Sequence, residues 1–426
     1  MLINIKKYYS FVVATIIITS QYASFIPGVS IGELLLIMGI VLWLIYFFIN
    51  HKKVDYIISN CNRNIFIFIY FLVIITLISL FTQYNYNVVD IVTRSIRYSF
   101  YIFASFIVSR FLIDFKYFIK VYRFFVIFAT LYIFFQIIIF YSTGRYISGI
   151  VPFLRVTNSF YSYNESIKMF TFFFRPGSLF MEPGYYAIFV LPYLAYCLFF
   201  YDKTSYKNII LALYIFSGLF LSTSGQGIII GSLLFVIFIL KKLLNLRNKT
   251  INIKIFLIGI ILICISIYLI DSNEMLQKSI SRLFIGDQAS SNSRIFNGFI
   301  MYSKLDFLHK IIGVGYGNVG NFLVSNGLSD LSIEMSDYMN SIATISISLG
   351  LTGIIIFFIL IINLFRKANY FGKICVLILL LLSFIGDNAT SITLVLYVSI
   401  IINNCLDIQK EIKINENKRF FRSNII

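Results

Sequence analysis

Long stretches of the chain carry no Asp, Glu, Lys or Arg: Phe11 to Ile31, Asn64 to Val89, Ala187 to Tyr201 and Thr352 to Asn363. The strongest of these approach the roughly 20 apolar residues that a helix needs to cross a bilayer. Solid apolar runs, rather than alternation of apolar and polar positions, exclude a membrane β-barrel, and backbone groups in lipid must be satisfied within helices. The pattern predicts an all-α polytopic integral membrane protein with about twelve transmembrane helices. They fall at 10–27, 29–49, 64–82, 89–109, 124–141, 183–201, 208–223, 227–240, 253–270, 341–365, 374–386 and 389–406. The eighth and eleventh are the shortest. The first run follows Lys6 and Lys7 without a small-residue cleavage site after it, so it reads as a span and not a removed signal. The whole of 1–426 reads as one transmembrane domain without a convincing internal repeat. Two connections are long, about 142–182 and 271–340, and a polar tail occupies 407–426.

Composition agrees with the pattern. Only 12% of the 426 residues are charged, where a soluble domain carries roughly a quarter, and mean hydropathy is +0.88. The distribution of positive charge adds orientation. Of 35 Lys and Arg, 24 fall on the side that holds both termini, nine lie opposite in the two long loops, and Arg94 and Arg97 lie inside a span. Short cytoplasmic loops retain Lys and Arg, so both termini are expected in the cytoplasm and both long loops outside. The net charge of +17 is thereby accounted for by topology and by attraction to anionic lipid headgroups, with no nucleic-acid partner. Cys197, Cys264 and Cys375 lie in predicted spans, and Cys61 and Cys405 on the cytoplasmic side. No external disulfide is available, and no CxxC or Cys/His cluster calls for a metal.

The first long loop interleaves Arg145, Arg155, Lys168 and Arg175 with many Phe and Tyr, a composition suited to packing on the membrane face. In the second, Ile280 to Phe284 and Arg294 to Leu308 have helical spacing of apolar residues. Its GVGYGNVG run, Gly313 to Gly320, is rich in glycine. It follows no strand and opens no βαβ unit, so tight turns beside the membrane explain it better than a nucleotide site. His51 and His309 are the two histidines; His309 reads as local packing or capping.

Arginine outside the membrane, set among aromatic rings, suits a ligand with an anionic head and sugar rings, because its planar fork takes phosphate oxygens in pairs. The candidates are Arg94, Arg97, Arg155, Arg175, Arg282 and Arg294. Pairing with local carboxylates or lipid phosphates is the plainer account of any one of them. Arg94 and Arg97 share a helix face in the outer part of the fourth span, where an ionisable residue is a functional candidate by default. Snorkelling to the headgroups is their alternative. In FFFRPGSLFMEPGYYAIFVLP, Pro183 suits a first helical turn and puts Glu182 at the N-cap, where the helix dipole favours a carboxylate. Glu182 therefore either caps the helix and pairs with Arg175, or faces an external cavity as a base or sugar ligand.

Three stretches resemble the O-antigen and capsular-polysaccharide polymerases (Wzy-type), in the superfamily that includes the O-antigen ligases. They are RPGSLFMEPGYYA from Arg175 to Ala187, STSGQG from Ser222 to Gly227, and GVGYGN followed by DYMNSIATISISLGLTG from Asp337 to Gly353. Twelve spans with two large outer loops is also that family's plan. There are departures. Gln226 stands where relatives often carry an arginine, and no RX10G spacing follows Arg145, Arg155, Arg175, Arg282 or Arg294. The histidine that ligases carry just before the position of Asn340 is missing, which favours polymerase over ligase.

The resemblance implies a GT-C-like membrane glycosyltransferase architecture in the bacterial cytoplasmic (inner) membrane, with the site facing the periplasm or exterior. It implies polymerisation of undecaprenyl-pyrophosphate-linked oligosaccharide repeat units into O-antigen or capsular polysaccharide, without cofactor or metal. Glu182 is the candidate base, with Asp337 second. The six arginines, Gln226 and Asn340 are the candidates for binding pyrophosphate and sugar. A chain-length regulator and a flippase of the same pathway are the implied partners. A ligase, and a lipid-linked oligosaccharide flippase or transporter, are the rival readings. Flippases generally have paired halves, short loops and broken helices or charges near mid-membrane.

Overall fold

The computed structural model describes residues 2–49, 63–82, 87–157, 174–201, 205–244, 296–330 and 332–405. Among them there is no β-strand; extended backbone pairs only at isolated bridges such as Tyr22 with Val156. The long helices are α1 (Leu2–Thr19), α2 (Ile31–Ile49), α3 (Arg63–Thr82), α4 (Val88–Leu112) and α5 (Phe115–Thr143). They continue with α6 (Pro183–Phe199), α7 (Tyr206–Leu221) and α8 (Gly225–Leu244). Among the described residues of 296–337 the helices are short: α9 (Gly298–Lys304), α10 (Phe307–Ile312), α11 (Val319–Ser325) and α12 (Ile333–Asp337). The last described helices are α13 (Ser341–Lys367), α14 (Tyr370–Ile385) and α15 (Thr393–Asn403).

Helices lie at eleven of the twelve positions expected from hydropathy; the ninth, 253–270, is outside the described residues. So are Ile280 to Phe284 and the tail 407–426. Among the described residues, five helices are long and apolar enough to cross a membrane: α2, α4, α5, α8 over Gly225–Lys242, and α13. The surface makes the same point. On α3 the exposed positions are Phe66, Ile67, Tyr70, Val73, Leu77, Ile78 and Phe81, whereas the polar Thr76 and Ser79 are buried. A soluble helix has the reverse arrangement. Polar groups inside and apolar groups outside are what lipid as a solvent demands, and the protein is a helical, membrane-embedded one.

Contacts divide the chain into two compact units, a division that its uniform hydropathy does not mark. One comprises Met1–Ile16, Leu35–Phe118 and Ser293–Ile426; the other comprises Ile17–Leu34 and Ile119–Asn292.

In the first unit, α4 widens into a π-helical turn over Phe103–Val108. The Ala104 carbonyl in this turn accepts hydroxyl hydrogen bonds from Tyr9 (3.0 Å) and Ser109 (2.8 Å). A side chain inserted into the carbonyl ladder is a recognised cause of such a bulge. Further on, α13 is broken at Gly350, with φ 65° and ψ −168°, a conformation open essentially to glycine alone. The carbonyls of Ile347 and Ser348 beside the break accept the backbone N–H groups of Val314 and Gly315, both at 2.9 Å. The GVGYG segment is therefore no surface turn. All of 313–320 is buried, and Leu305, Val314, Val319, Phe322 and Leu323 form one apolar cluster with Met339, Ala343 and Ile347.

In the second unit, α6 carries Pro192 in its interior, which removes an amide donor. The Tyr122 hydroxyl donates to the nearby Phe189 carbonyl. Residues 155–157 run beside 21–23, through Ala23 N–H to the Arg155 carbonyl (2.7 Å) and Thr157 N–H to the Gln21 carbonyl (2.9 Å).

Candidate functional sites

Two of the stretches singled out in the sequence meet in the second unit. Arg175 donates from Nε to Thr223 Oγ1 (3.0 Å) and from Nη2 to the Thr223 carbonyl (3.2 Å). Gln226 Nε2 donates to the Gly184 carbonyl at 3.0 Å. The RPGSLFMEPG segment and the STSGQG turn are thus bound to each other at two points. A Cβ on Gly184 would come to 3.1 Å from Gln226 Nε2, a tight contact that the end of the glutamine side chain would have to ease by a small shift.

The RPGS turn is fixed from behind by two amides. Gln136 Oε1 accepts Ser178 N–H (3.0 Å), and Gln136 Nε2 donates to the Ile147 carbonyl (2.8 Å). Gln21 Oε1 accepts Met181 N–H at 2.7 Å, and Ser178 Oγ donates to the Ala129 carbonyl at 2.6 Å. Glu182 then occupies the N-cap of α6 without a side-chain capping bond. Its carboxylate, half-buried, has no hydrogen bond or ion pair among the described residues. Glu182 thus stands at the N-cap position expected of it, while its side chain neither caps the helix nor pairs with Arg175.

The third stretch builds a second cluster in the first unit. Asp337 accepts Arg94 Nη1 on Oδ2 at 2.7 Å, with the two side chains 43% and 15% exposed. Its other oxygen, Oδ1, accepts Gly320 N–H at 2.6 Å. Gly320 has to be glycine, since a Cβ there would lie 2.9 Å from Asp337 Oδ1 and 2.4 Å from the Ile333 carbonyl. Tyr316 stacks on Tyr98 at 4.8 Å, and its carbonyl accepts Ser95 Oγ at 3.3 Å. Burial pushes the Tyr316 phenol above its ordinary pKa; Asp387 and Asp337 add to that, and Arg94 and Arg97 oppose it.

Asp337, with both oxygens engaged, holds Arg94 in place. The other N–H groups of Arg94 make no hydrogen bond to the described residues, so this cation is held at one corner and open at the rest. Asn340 is fully buried, and its Oδ1 caps α13 by accepting Ala343 N–H at 2.9 Å. Arg155 is exposed. Arg282 and Arg294 lie outside the described residues. His309 Nδ1 bonds to Asp306, the N-cap of α10, and its ring packs on Phe322, which is the local capping expected of it. No group of three His, Cys, Asp or Glu comes together among the described residues.

Sequence reasoning missed Thr223, Tyr316 and the two anchoring glutamines. Gln136 left a signal, an amide alone in the apolar run LYIFFQIIIF; a buried amide needs partners. No protein-family model and no curated protein matches this sequence.

Proposed function

We propose that the chain is a membrane glycosyltransferase that joins undecaprenyl-pyrophosphate-linked repeat units into O-antigen or capsular polysaccharide on the outer face of the bacterial cytoplasmic membrane. The observation that carries this reading is the binding of Arg175 and Gln226 across the two stretches, with the unengaged Glu182 carboxylate in the same segment. A hydroxyl of the acceptor sugar attacks the anomeric carbon of the donor glycan, and the bond from that carbon to the diphosphate oxygen breaks. Glu182 takes the hydroxyl proton as general base. Arg175 stabilises the negative charge that collects on the departing diphosphate, as preorganised cations do at a developing charge. Diphosphate is a good leaving group, so orientation of the two sugars supplies much of the remaining acceleration. Asp337 acts through Arg94 and not as a base.

A flippase is the second reading, favoured by the break in α13, since transporters bind ligand at discontinuous helices. In this chain the carbonyls freed at the break are taken by Val314 and Gly315, which argues for a structural use of the break.

Gene deletion tests the proposal. Loss of a polymerase leaves surface lipid capped with a single repeat instead of a ladder of lengths. Glu182→Gln and Arg175→Ala fail to restore the ladder at normal protein level. Repeat units stranded inside the cell identify a flippase, and unattached polymer identifies a ligase. Full ladders from both variants refute the site.

A further inference from the structure

Among the described residues two non-glycines have positive φ, Ser178 at 59° and Thr223 at 52°. Both belong to the scaffold around Arg175. Ser178 lies three residues beyond it and is held by Gln136 and Ala129; Thr223 is the residue that Arg175 grips. Backbone strain of this kind persists only where the surroundings over-determine it, and it clusters at functional sites.

Thr223 is the sharper case. It follows the C-cap Ser222 of α7, the position at which helices end in a left-handed residue that is usually glycine. A β-branched residue there is an outlier. Glycine would end the helix with less strain, but it has no hydroxyl. The hydroxyl and the carbonyl of Thr223 together accept Nε and Nη2 of Arg175, the edge-on fork geometry that fixes the plane of a guanidinium.

We infer that Thr223 is a positioning residue that orients the Arg175 guanidinium for the diphosphate of the lipid carrier, with strain in its backbone retained for that purpose. The inference rests on the proposed function, from which it takes the diphosphate.

The test uses the full chain in nanodiscs and farnesyl diphosphate as a soluble probe, with binding read by calorimetry and stability by thermal unfolding. Thr223→Gly is expected to weaken binding about tenfold, the effect of losing a hydrogen bond that orients a charged group, while its melting temperature stays level or rises. Thr223→Ser, which keeps the hydroxyl, binds as wild type. Adding Thr223→Gly to Arg175→Ala weakens binding no further, because residues that act through one another are non-additive. If Thr223→Gly binds as wild type while Arg175→Ala is weakened, the inference is overturned and the proposed function stands. An additive double variant also overturns it. Wild-type binding by Arg175→Ala, or no binding by the wild type, overturns both.

Discussion

Gly313→Ala asks whether the glycine run is a buried structural insert. Gly313 has φ 93° and ψ 177°, and a Cβ there would lie 2.3 Å from the Ser348 carbonyl oxygen and 2.6 Å from Gly350 N. Both neighbours are backbone at the break in α13, so neither can rotate aside. Gly28 provides the control: its φ is 77°, and a Cβ would meet nothing within 4 Å. The control carries conformational strain alone, about 1–3 kcal/mol. Gly313→Ala adds overpacking of about 1–3 kcal/mol, for a sum of about 2–6 kcal/mol, a large part of the ~5–15 kcal/mol that stabilises a typical protein. A difference of about 2 kcal/mol between the variants is worth about 4–8 °C in Tm for a unit of this size. Heating steps followed by size-exclusion chromatography in detergent measure it. Gly315→Ala adds a second arm, since its Cβ would lie 2.1 Å from Ser79 Oγ and 2.5 Å from Ser79 Cβ. Unlike the Gly313 clash, this one is removable, and Ser79→Gly is expected to recover most of the overpacking loss. Equal melting of Gly313→Ala and Gly28→Ala, or no rescue by Ser79→Gly, refutes the account of the insert.

Three further predictions concern single contacts. Asn340→Ala removes the cap of α13 and is expected to cost about 1 kcal/mol, with Asn340→Ser, an uncharged capping residue, recovering part of it in the same melting assay. Asp337→Asn releases a half-exposed ion pair worth about 1 kcal/mol or less; stability should change little while the polymer ladder shortens, and an unchanged ladder would remove Arg94 from the site. Gly218→Ala would bring a Cβ to 2.4 Å from Tyr186 Oη and 2.7 Å from Thr130 Cγ2, an expected loss of about 1–3 kcal/mol that Tyr186→Phe partly relieves.

Helix positions were legible because lipid leaves a chain few alternatives to continuous apolar helices. The ends were less so. The first span was expected over 10–27, but α1 begins at Leu2 because Ile5 and Tyr9 bury with Val12, Val13 and Ile16 on one face, and it stops at Thr19. The Ala104 carbonyl in the π turn of α4 accepts the Tyr9 hydroxyl as well as that of Ser109, and the Tyr9 contact, across 95 residues, is one that no local pattern encodes. Gly350 stood in plain view, but its role required the distant partner Val314. The glycine run looked like loop punctuation because its filling of a helix break is a tertiary fact. Arg175, Glu182 and Gln226 stood out in the sequence as candidates. Their scaffold did not, since Gln21 and Gln136 hold backbone groups far along the chain, and Thr223 meets the Arg175 side chain 48 residues away.

Reconstitution tests the central claim most directly. The full chain, purified into liposomes and supplied with undecaprenyl-pyrophosphate-linked repeat units, should release undecaprenyl pyrophosphate and yield lipid-linked glycans in whole multiples of the repeat, resolved by mass spectrometry. Movement of single repeat units across the bilayer with no product longer than one repeat would contradict it.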